Sequence, residues 1–92
     1  MKVKITGTFE RAAKKFHRSQ IKLIEDAIDE IIKNPEVGEI KKGDLAGIQV
    51  YKFRINAQLI LLAYLLDEKN KEIVLLSIGS HENFYRDLKK KL

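Results

Sequence analysis

The chain has 92 residues, of which 45% are apolar, so we predict a single globular domain spanning residues 1–92. It has no cysteine, which excludes disulfides, thiolate metal sites and a cysteine nucleophile. Its net charge of +5 favours polyanionic partners, although a charge of this size also serves solubility alone.

The N-terminal part of the sequence predicts one strand followed by two helices. Residues 2–6 alternate apolar and polar side chains, as in a half-buried strand, and Gly7 ends it. Thr8 and Ser19 are candidate N-caps, because each hydroxyl precedes a helical apolar pattern. Pro35 ends the second helix, since the residue before a proline resists the α conformation. The two apolar stripes are Phe9, Ala12, Ala13 and Phe16, and then Ile21, Ile24, Ala27, Ile28, Ile31 and Ile32.

The middle of the sequence predicts a loop and then a strand with two different faces. Residues 35–47 contain three glycines and are predicted to form the loop. Residues 48–55 alternate in the manner of a strand, which places two cations on the same side. The predicted faces are Tyr51, Phe53 and Ile55 on one side, and Val50, Lys52 and Arg54 on the other.

Two apolar runs follow, separated by a polar turn at 67–71. Residues 59–66 show no alternation, which indicates a central strand covered on both faces. This run is the longest in the chain and is far shorter than the roughly 20 residues of a membrane span, so we expect a soluble, cytoplasmic protein. Residues 73–78 predict another strand, which Gly79 should break before Ser80 caps a final helix.

These elements give the order β-α-α-β-β-β-α and an α+β fold. We expect the N-terminal strand to join a mainly antiparallel four-stranded sheet, with the hairpin of helices packed on one face. A short C-terminal helix completes the prediction.

The residues that could carry chemistry are basic and aromatic. No phosphate-binding glycine loop and no HExxH motif is present, so we predict neither a metal nor another cofactor. His81 and Tyr85 are one helical turn apart, and a histidine titrates where acid–base catalysis needs it. Lys52 and Arg54 could stabilise the charge of a phosphate, and Tyr85 could stack on a base or transfer a proton.

The same residues also have a purely structural interpretation. Lys52 and Arg54 fit an ordinary solvated strand face, and Tyr85 fits the edge of the core. His81 could simply be exposed, and His17 is expected to be a surface residue without a partner.

Three segments of the sequence together resemble toxins of the RelE/ParE superfamily from type II bacterial toxin–antitoxin systems. They are NPEVGEIKKGDLAGIQVYKFR, then QLILLAY, then LLSIGSHENFYRDLKKKL. The resemblance implies the RelE-like fold and a cognate antitoxin, with operator DNA bound only through the antitoxin complex and no membrane association. For RelE-type members it also implies metal-independent cleavage of mRNA on the ribosome.

By position, the resemblance implies catalytic roles for His81, Tyr85, Arg54 and Lys52. The basic residues expected to contact RNA are Lys41, Lys42, Lys52, Arg54 and Arg86. RelE-type nucleases usually carry an arginine at the start of the next strand, whereas residues 58–62 contain no cation here. Two alternatives therefore stay open: a ParE-like, non-enzymatic inhibitor of DNA gyrase, and an inactive relative that only binds its antitoxin.

Overall fold

The computed structural model describes residues 1–81 and Phe84. Its two helices are α1, Gly7–Ala13, and α2, Arg18–Lys33, and a 3₁₀ turn covers Gly43–Leu45. The strands are β1, Lys2–Ile5; β2, Glu39–Ile40; β3, Ile48–Ile55; β4, Gln58–Asp67; and β5, Glu72–Ser80. Within these residues, no helix is long and apolar enough to cross a membrane.

The described strands form one mixed sheet in the order β1-β5-β4-β3-β2. Neighbours from β2 to β5 are antiparallel, whereas β1 runs parallel to β5. The α+β class and the mainly antiparallel sheet are confirmed, but the described residues form five strands rather than the predicted four. Glu39 and Ile40, which lie in the predicted loop, pair with Val50 and Gln49 and add a fifth strand at the edge.

Both helices begin before the predicted caps. Thr6 caps α1: its Oγ1 accepts a hydrogen bond from Phe9 N at 3.2 Å and donates to the Leu75 carbonyl at 2.8 Å. His17 caps α2: its Nδ1 accepts from Ser19 N at 3.1 Å, while Gln20 Oε1 accepts from His17 N at 2.8 Å. The expectation that His17 has no partner was therefore wrong, because its imidazole takes the place of the usual capping hydroxyl.

The main core lies between the helices and one face of the sheet, called here the helix face. On this face β3 presents Tyr51, Phe53 and Ile55, as the alternation predicted, and the last of these is 1% exposed. The fully buried centre comes mainly from β4 and β5, with one residue each from α2 and β3. Its largest residues are Ile31, Ile55, Ile60, Leu62, Tyr64, Ile73 and Leu75.

A smaller core covers the opposite face of the sheet, called here the second face. Its buried residues are Leu45, Ile48, Val50, Leu61, Ala63 and Phe84. Strand β5 continues through Gly79 to Ser80, so the predicted strand break at Gly79 is wrong. A Cβ built at Gly79 would lie 3.8 Å from Phe84 Cδ1, so the ring of Phe84 lies over this glycine. His81 and Phe84 have helical backbone, and the rest of the predicted C-terminal helix lies outside the described residues.

Candidate functional site

Lys52 lies on the second face of β3, where the alternation predicted it, but it does not stand alone. Its Nζ is 3.7 Å from Glu39 Oε2. The other carboxylate oxygen, Glu39 Oε1, accepts a 2.8 Å hydrogen bond from Lys41 Nζ. The pairing of β2 with β3 makes this possible, because it sets Glu39 opposite Val50, two residues before Lys52. We call these three residues the Lys41–Glu39–Lys52 cluster.

The two lysines of the cluster change the pKa of its carboxylate. The hydrogen bond from Lys41 lowers the pKa of Glu39, and the positive charges of Lys41 and Lys52 lower it further. The side chain of Lys41 is 18% exposed, whereas those of Lys52 and Glu39 are 45% and 60% exposed. The cluster is therefore open to solvent mainly on the side of Glu39 and Lys52.

Arg54 shares the second face with Lys52, but the two side chains have different partners. Arg54 Nη1 donates a 3.1 Å hydrogen bond to the carbonyl of Ala57, in the turn between β3 and β4. Lys52 instead reaches toward β2. The structure thus brings Lys41 and Lys52 onto one carboxylate and leaves Arg54 exposed at the β3–β4 turn.

The loop that carries Lys41 and Lys42 is anchored to the sheet at its far end. Lys42 is exposed and precedes the 3₁₀ turn, whose last residue, Leu45, is buried in the smaller core. Gly43 is the first residue of this turn and Gly47 follows it; their φ angles of 69° and 88° are left-handed, a conformation that glycine adopts without steric cost. Both lysines therefore sit beside the second face rather than on a detached loop.

Strand β4 supplies only apolar side chains next to these cations. Leu61 pairs with Lys52 and is fully buried, and Leu59 pairs with Arg54. The sequence of β4, QLILLAYLLD, contains no cation. Residues 58–62 differ from RelE-type nucleases in having no arginine. In the structure an uncharged leucine of this segment therefore lies beside each of the two β3 cations.

His81 lies at the end of the sheet where Arg54 is found. Ser80 pairs with Ile60, and Ile60 pairs with Phe53, so these three residues form one row across the sheet. His81 and Arg54 each follow that row and are separated by β4, which corresponds to a backbone distance of roughly 10 Å. His81 is exposed, while Tyr85 and Arg86 lie outside the described residues.

The helix face bears a separate, shallow groove between α2 and β3. Tyr51 and Phe53 stack there with their ring centroids 5.9 Å apart. The carboxylates of Asp26 and Glu30 line the same groove, so it suits a polyanion poorly. Its lining residues are Leu23, Asp26, Ala27, Glu30, Tyr51, Phe53 and Arg54.

The sequence prediction missed Glu39, although it found both lysines that this residue contacts. The spacing of Glu39 and Lys41 puts the two side chains on the same side of an extended chain. That spacing was the one feature of the sequence that indicated a contact between Glu39 and Lys41, and it lay in a segment predicted to be a loop. Within residues 1–81 and Phe84, no three His, Asp or Glu side chains are grouped as metal ligands would be.

Comparison with known proteins identifies the family. A family model described as the ParE-like toxin of type II bacterial toxin–antitoxin systems matches residues 3–89. No curated protein matches the chain. The fold is similar to that of a mutant of the Escherichia coli toxin RelE in the free state, with a TM-score of 0.75 and 14% identity over 99% of this chain and 96% of that one.

Two toxin–antitoxin complexes are similar as well. RelBE2 from Mycobacterium tuberculosis matches with a TM-score of 0.68 and 24% identity, covering 87% of this chain and 96% of that one. The intact RelBE complex from E. coli matches with a TM-score of 0.69 and 14% identity, covering 88% of this chain and 96% of that one. With a sheet and helices arranged as in RelE and a family match over nearly its whole length, the chain belongs to the ParE-like toxins of type II bacterial toxin–antitoxin systems.

Proposed function

We propose that this toxin is a metal-independent, ribosome-associated endonuclease that cleaves mRNA and thereby inhibits translation. The observation that carries the proposal is the convergence of Lys41 and Lys52 on the two oxygens of one carboxylate, at 2.8 and 3.7 Å, on the second face of the sheet. Two ammonium groups that both reach one carboxylate can also bind a phosphate group. The RelE-like fold supports the same conclusion.

The proposed roles are those that the resemblance to RelE-type toxins implies for these residues. Lys52 and Arg54 hold the scissile phosphate and stabilise the negative charge that builds up on it during cleavage. His81, exposed at the same end of the sheet, serves as the general acid or base, which contributes about 10²–10⁴-fold in rate. Tyr85 stacks on a base or assists proton transfer, and the remaining RNA contacts come from Lys41, Lys42 and Arg86.

Phe84 lies on the second face, near the cations to which these roles are assigned. Its ring is 3% exposed and packs in the smaller core with Val50 and Leu61, next to Lys52 in the sheet. Phe84 therefore brings an apolar side chain, three residues after His81, to the face that carries the cations.

We propose a co-expressed antitoxin as the protein partner, in the cytoplasm. The similar RelBE and RelBE2 structures are toxin–antitoxin complexes. An acidic or amphipathic segment would suit the cations of the second face, and operator DNA would be contacted only through the complex. Co-expression with the product of the neighbouring gene tests this: we expect one complex on gel filtration, and separate elution would refute it.

The decisive experiment measures growth, translation and transcript ends after induction of the toxin alone. We expect growth arrest and new 5′ ends within translated codons, reproduced with purified ribosomes. His81→Ala should reduce cleavage about 10²–10⁴-fold and Lys52→Ala about 10²–10³-fold, and Tyr85→Ala should reduce it as well. Lys33→Ala, which removes an exposed cation from α2, is the matched control and should leave cleavage unchanged. Full cleavage by the His81 and Tyr85 variants would refute the assignment.

Inhibition of DNA gyrase is the second candidate function. Two observations favour it: the match to a ParE-like family, and the absence of any cation on β4 beside Lys52 and Arg54. It predicts that the purified toxin blocks gyrase-catalysed supercoiling and leaves mRNA intact on ribosomes. If neither activity is found and induction does not arrest growth, the protein acts only through its complex with the antitoxin.

A further inference from the structure

The Lys41–Glu39–Lys52 cluster contains an acidic residue between two lysines that the proposed function assigns to RNA phosphates. Each carboxylate oxygen of Glu39 faces a different lysine, Oε1 at 2.8 Å from Lys41 and Oε2 at 3.7 Å from Lys52. Two non-bridging oxygens of a phosphodiester would meet the two ammonium groups in the same way. The lysines are thus already gathered around an anion that belongs to the protein.

Conformational stability does not account for this arrangement. Ion pairs of an exposed carboxylate contribute little to the free energy of unfolding, because solvent screens the carboxylate and the paired side chains lose rotamer freedom. Glu39 is 60% exposed and lies on a strand of two residues at the edge of the sheet. Its main physical effect is on the local electrostatic potential, since it neutralises one of the positive charges that a polyanion would contact.

We propose that Glu39 is an internal competitor of RNA: its carboxylate occupies the Lys41–Lys52 site in the free toxin, and a phosphodiester must displace it to bind. The identity of the ligand as RNA rests on the proposed function, whereas the competition for an anion does not. Displacement requires only a change of side-chain rotamer, because the exposed carboxylate can turn to solvent while the backbone pairing of β2 with β3 is kept. Glu39 thereby sets how strongly this face binds nucleic acid in the absence of further contacts.

Binding of a fluorescent single-stranded RNA decamer, measured by anisotropy at several salt concentrations, tests the proposal. Glu39→Gln should lower the dissociation constant roughly threefold to tenfold, the range that two exposed ion pairs can account for. It should also steepen the salt dependence, because loss of the negative charge of Glu39 leaves this face more positive, and binding then releases more counterions from the RNA. Adding Lys41→Gln and Lys52→Gln to this variant should abolish the gain.

Two matched variants show whether the effect of Glu39→Gln comes from emptying the site of a carboxylate or from the change in net charge. Glu10→Gln raises the net charge by the same amount and breaks the Glu10–Lys14 ion pair on α1, so it should change the dissociation constant less than twofold. Glu39→Asp keeps the net charge but withdraws the carboxylate by one methylene, and we expect an intermediate gain. Equal effects of Glu39→Gln and Glu10→Gln, or no effect of either, would overturn the proposal.

Titration with inorganic phosphate tests the competition between Glu39 and an anion without relying on RNA cleavage. In Glu39→Gln, phosphate should shift the Nζ resonances of Lys41 and Lys52 at lower concentration than in the wild type or in Glu10→Gln. If these shifts are seen while ribosome assays show no cleavage, the internal competition stands and the nuclease proposal falls. If the wild type cleaves mRNA but its lysines respond to phosphate as those of Glu39→Gln do, the internal competition falls alone.

Discussion

The hydroxyl of Tyr64 donates a 2.7 Å hydrogen bond to the carbonyl of Pro35, and so joins the centre of the sheet to the loop after α2. The same hydroxyl accepts a 2.9 Å bond from Gly38 N and a 3.2 Å bond from Gln49 Nε2. Gln49 Nε2 also lies 3.1 Å from the Pro35 carbonyl. This network fixes the segment that leads into β2, and therefore the position of Glu39.

Tyr64→Phe should destabilise the protein through this network. The change leaves the ring in place but removes the oxygen from three buried or half-buried partners, which we expect to cost about 1–3 kcal/mol of unfolding free energy. Urea denaturation measures the loss. Tyr51→Phe, on the helix face of β3, is the matched control and should change stability by less than about 0.5 kcal/mol. Equal effects of the two substitutions would contradict the importance of the network.

The free energy of unfolding should depend on pH through ionisation of the Tyr64 phenol. Burial raises the pKa of Tyr64 above its ordinary value of 10.0, and the hydrogen bond from Gly38 only partly opposes this. The folded state therefore keeps the proton to higher pH than the unfolded state does. The stability that the protonated phenol contributes is fully present below the pKa of Tyr64 in the unfolded state. It is lost as the pH rises through the pKa of Tyr64 in the folded state. Comparing wild type with Tyr64→Phe between about pH 8 and pH 11 should show a shrinking stability difference, and a constant difference would contradict the prediction.

Gly38→Ala should be strongly destabilising for a steric reason. A Cβ at this position would lie 2.7 Å from Tyr64 Oη and 2.8 Å from Tyr64 Cε1, and the fully buried ring has no room to withdraw. Overpacking of this kind costs about 1–3 kcal/mol. At Gly7 the nearest atom to such a Cβ is Arg11 Nη1, the mobile end of an exposed side chain, at 3.2 Å. Gly7→Ala should therefore leave the melting temperature unchanged or raise it, and a similar loss at both glycines would refute the argument.

His17→Ala should shorten or weaken α2 at its start. The imidazole satisfies the N–H of Ser19, and an N-cap lost to alanine typically costs about 0.5–2 kcal/mol. His17→Asp should restore most of the stability, because its carboxylate can accept the same hydrogen bond and is favoured at a helix N-terminus. Thermal unfolding followed by circular dichroism checks both variants, and an unchanged melting temperature in His17→Ala would show that the cap contributes little.

The sequence predicted those features that depend on local pattern. The alternation within residues 48–55 predicted both the bounds of β3 and the face on which Lys52 and Arg54 lie. The two apolar runs predicted β4 and β5 to within two residues at each end, but pairing across the sheet extended both strands beyond the apolar residues.

Features that depend on strand pairing between distant parts of the chain could not be predicted from the sequence. Strand β2 has two exposed residues and no pattern of its own, so only its register with Val50 and Gln49 defines it. The partner of Lys52 could not be foreseen for the same reason, because Glu39 reaches it through that pairing. The cap at His17 was missed because a histidine is an uncommon capping residue, and the neighbouring Ser19 offered the usual hydroxyl.

The parallel pairing of β1 with β5 also sets when the molecule can fold. Val3 lies opposite Ile73, and Thr6 donates its hydroxyl hydrogen to the carbonyl of Leu75. A nascent chain that already contains β1 and both helices must therefore wait for residues 72–75 before the main core can close. Contacts so far apart in sequence slow folding, because a long loop has to be closed first. The toxin thus cannot reach its native form on the ribosome that makes it until most of its sequence has been translated.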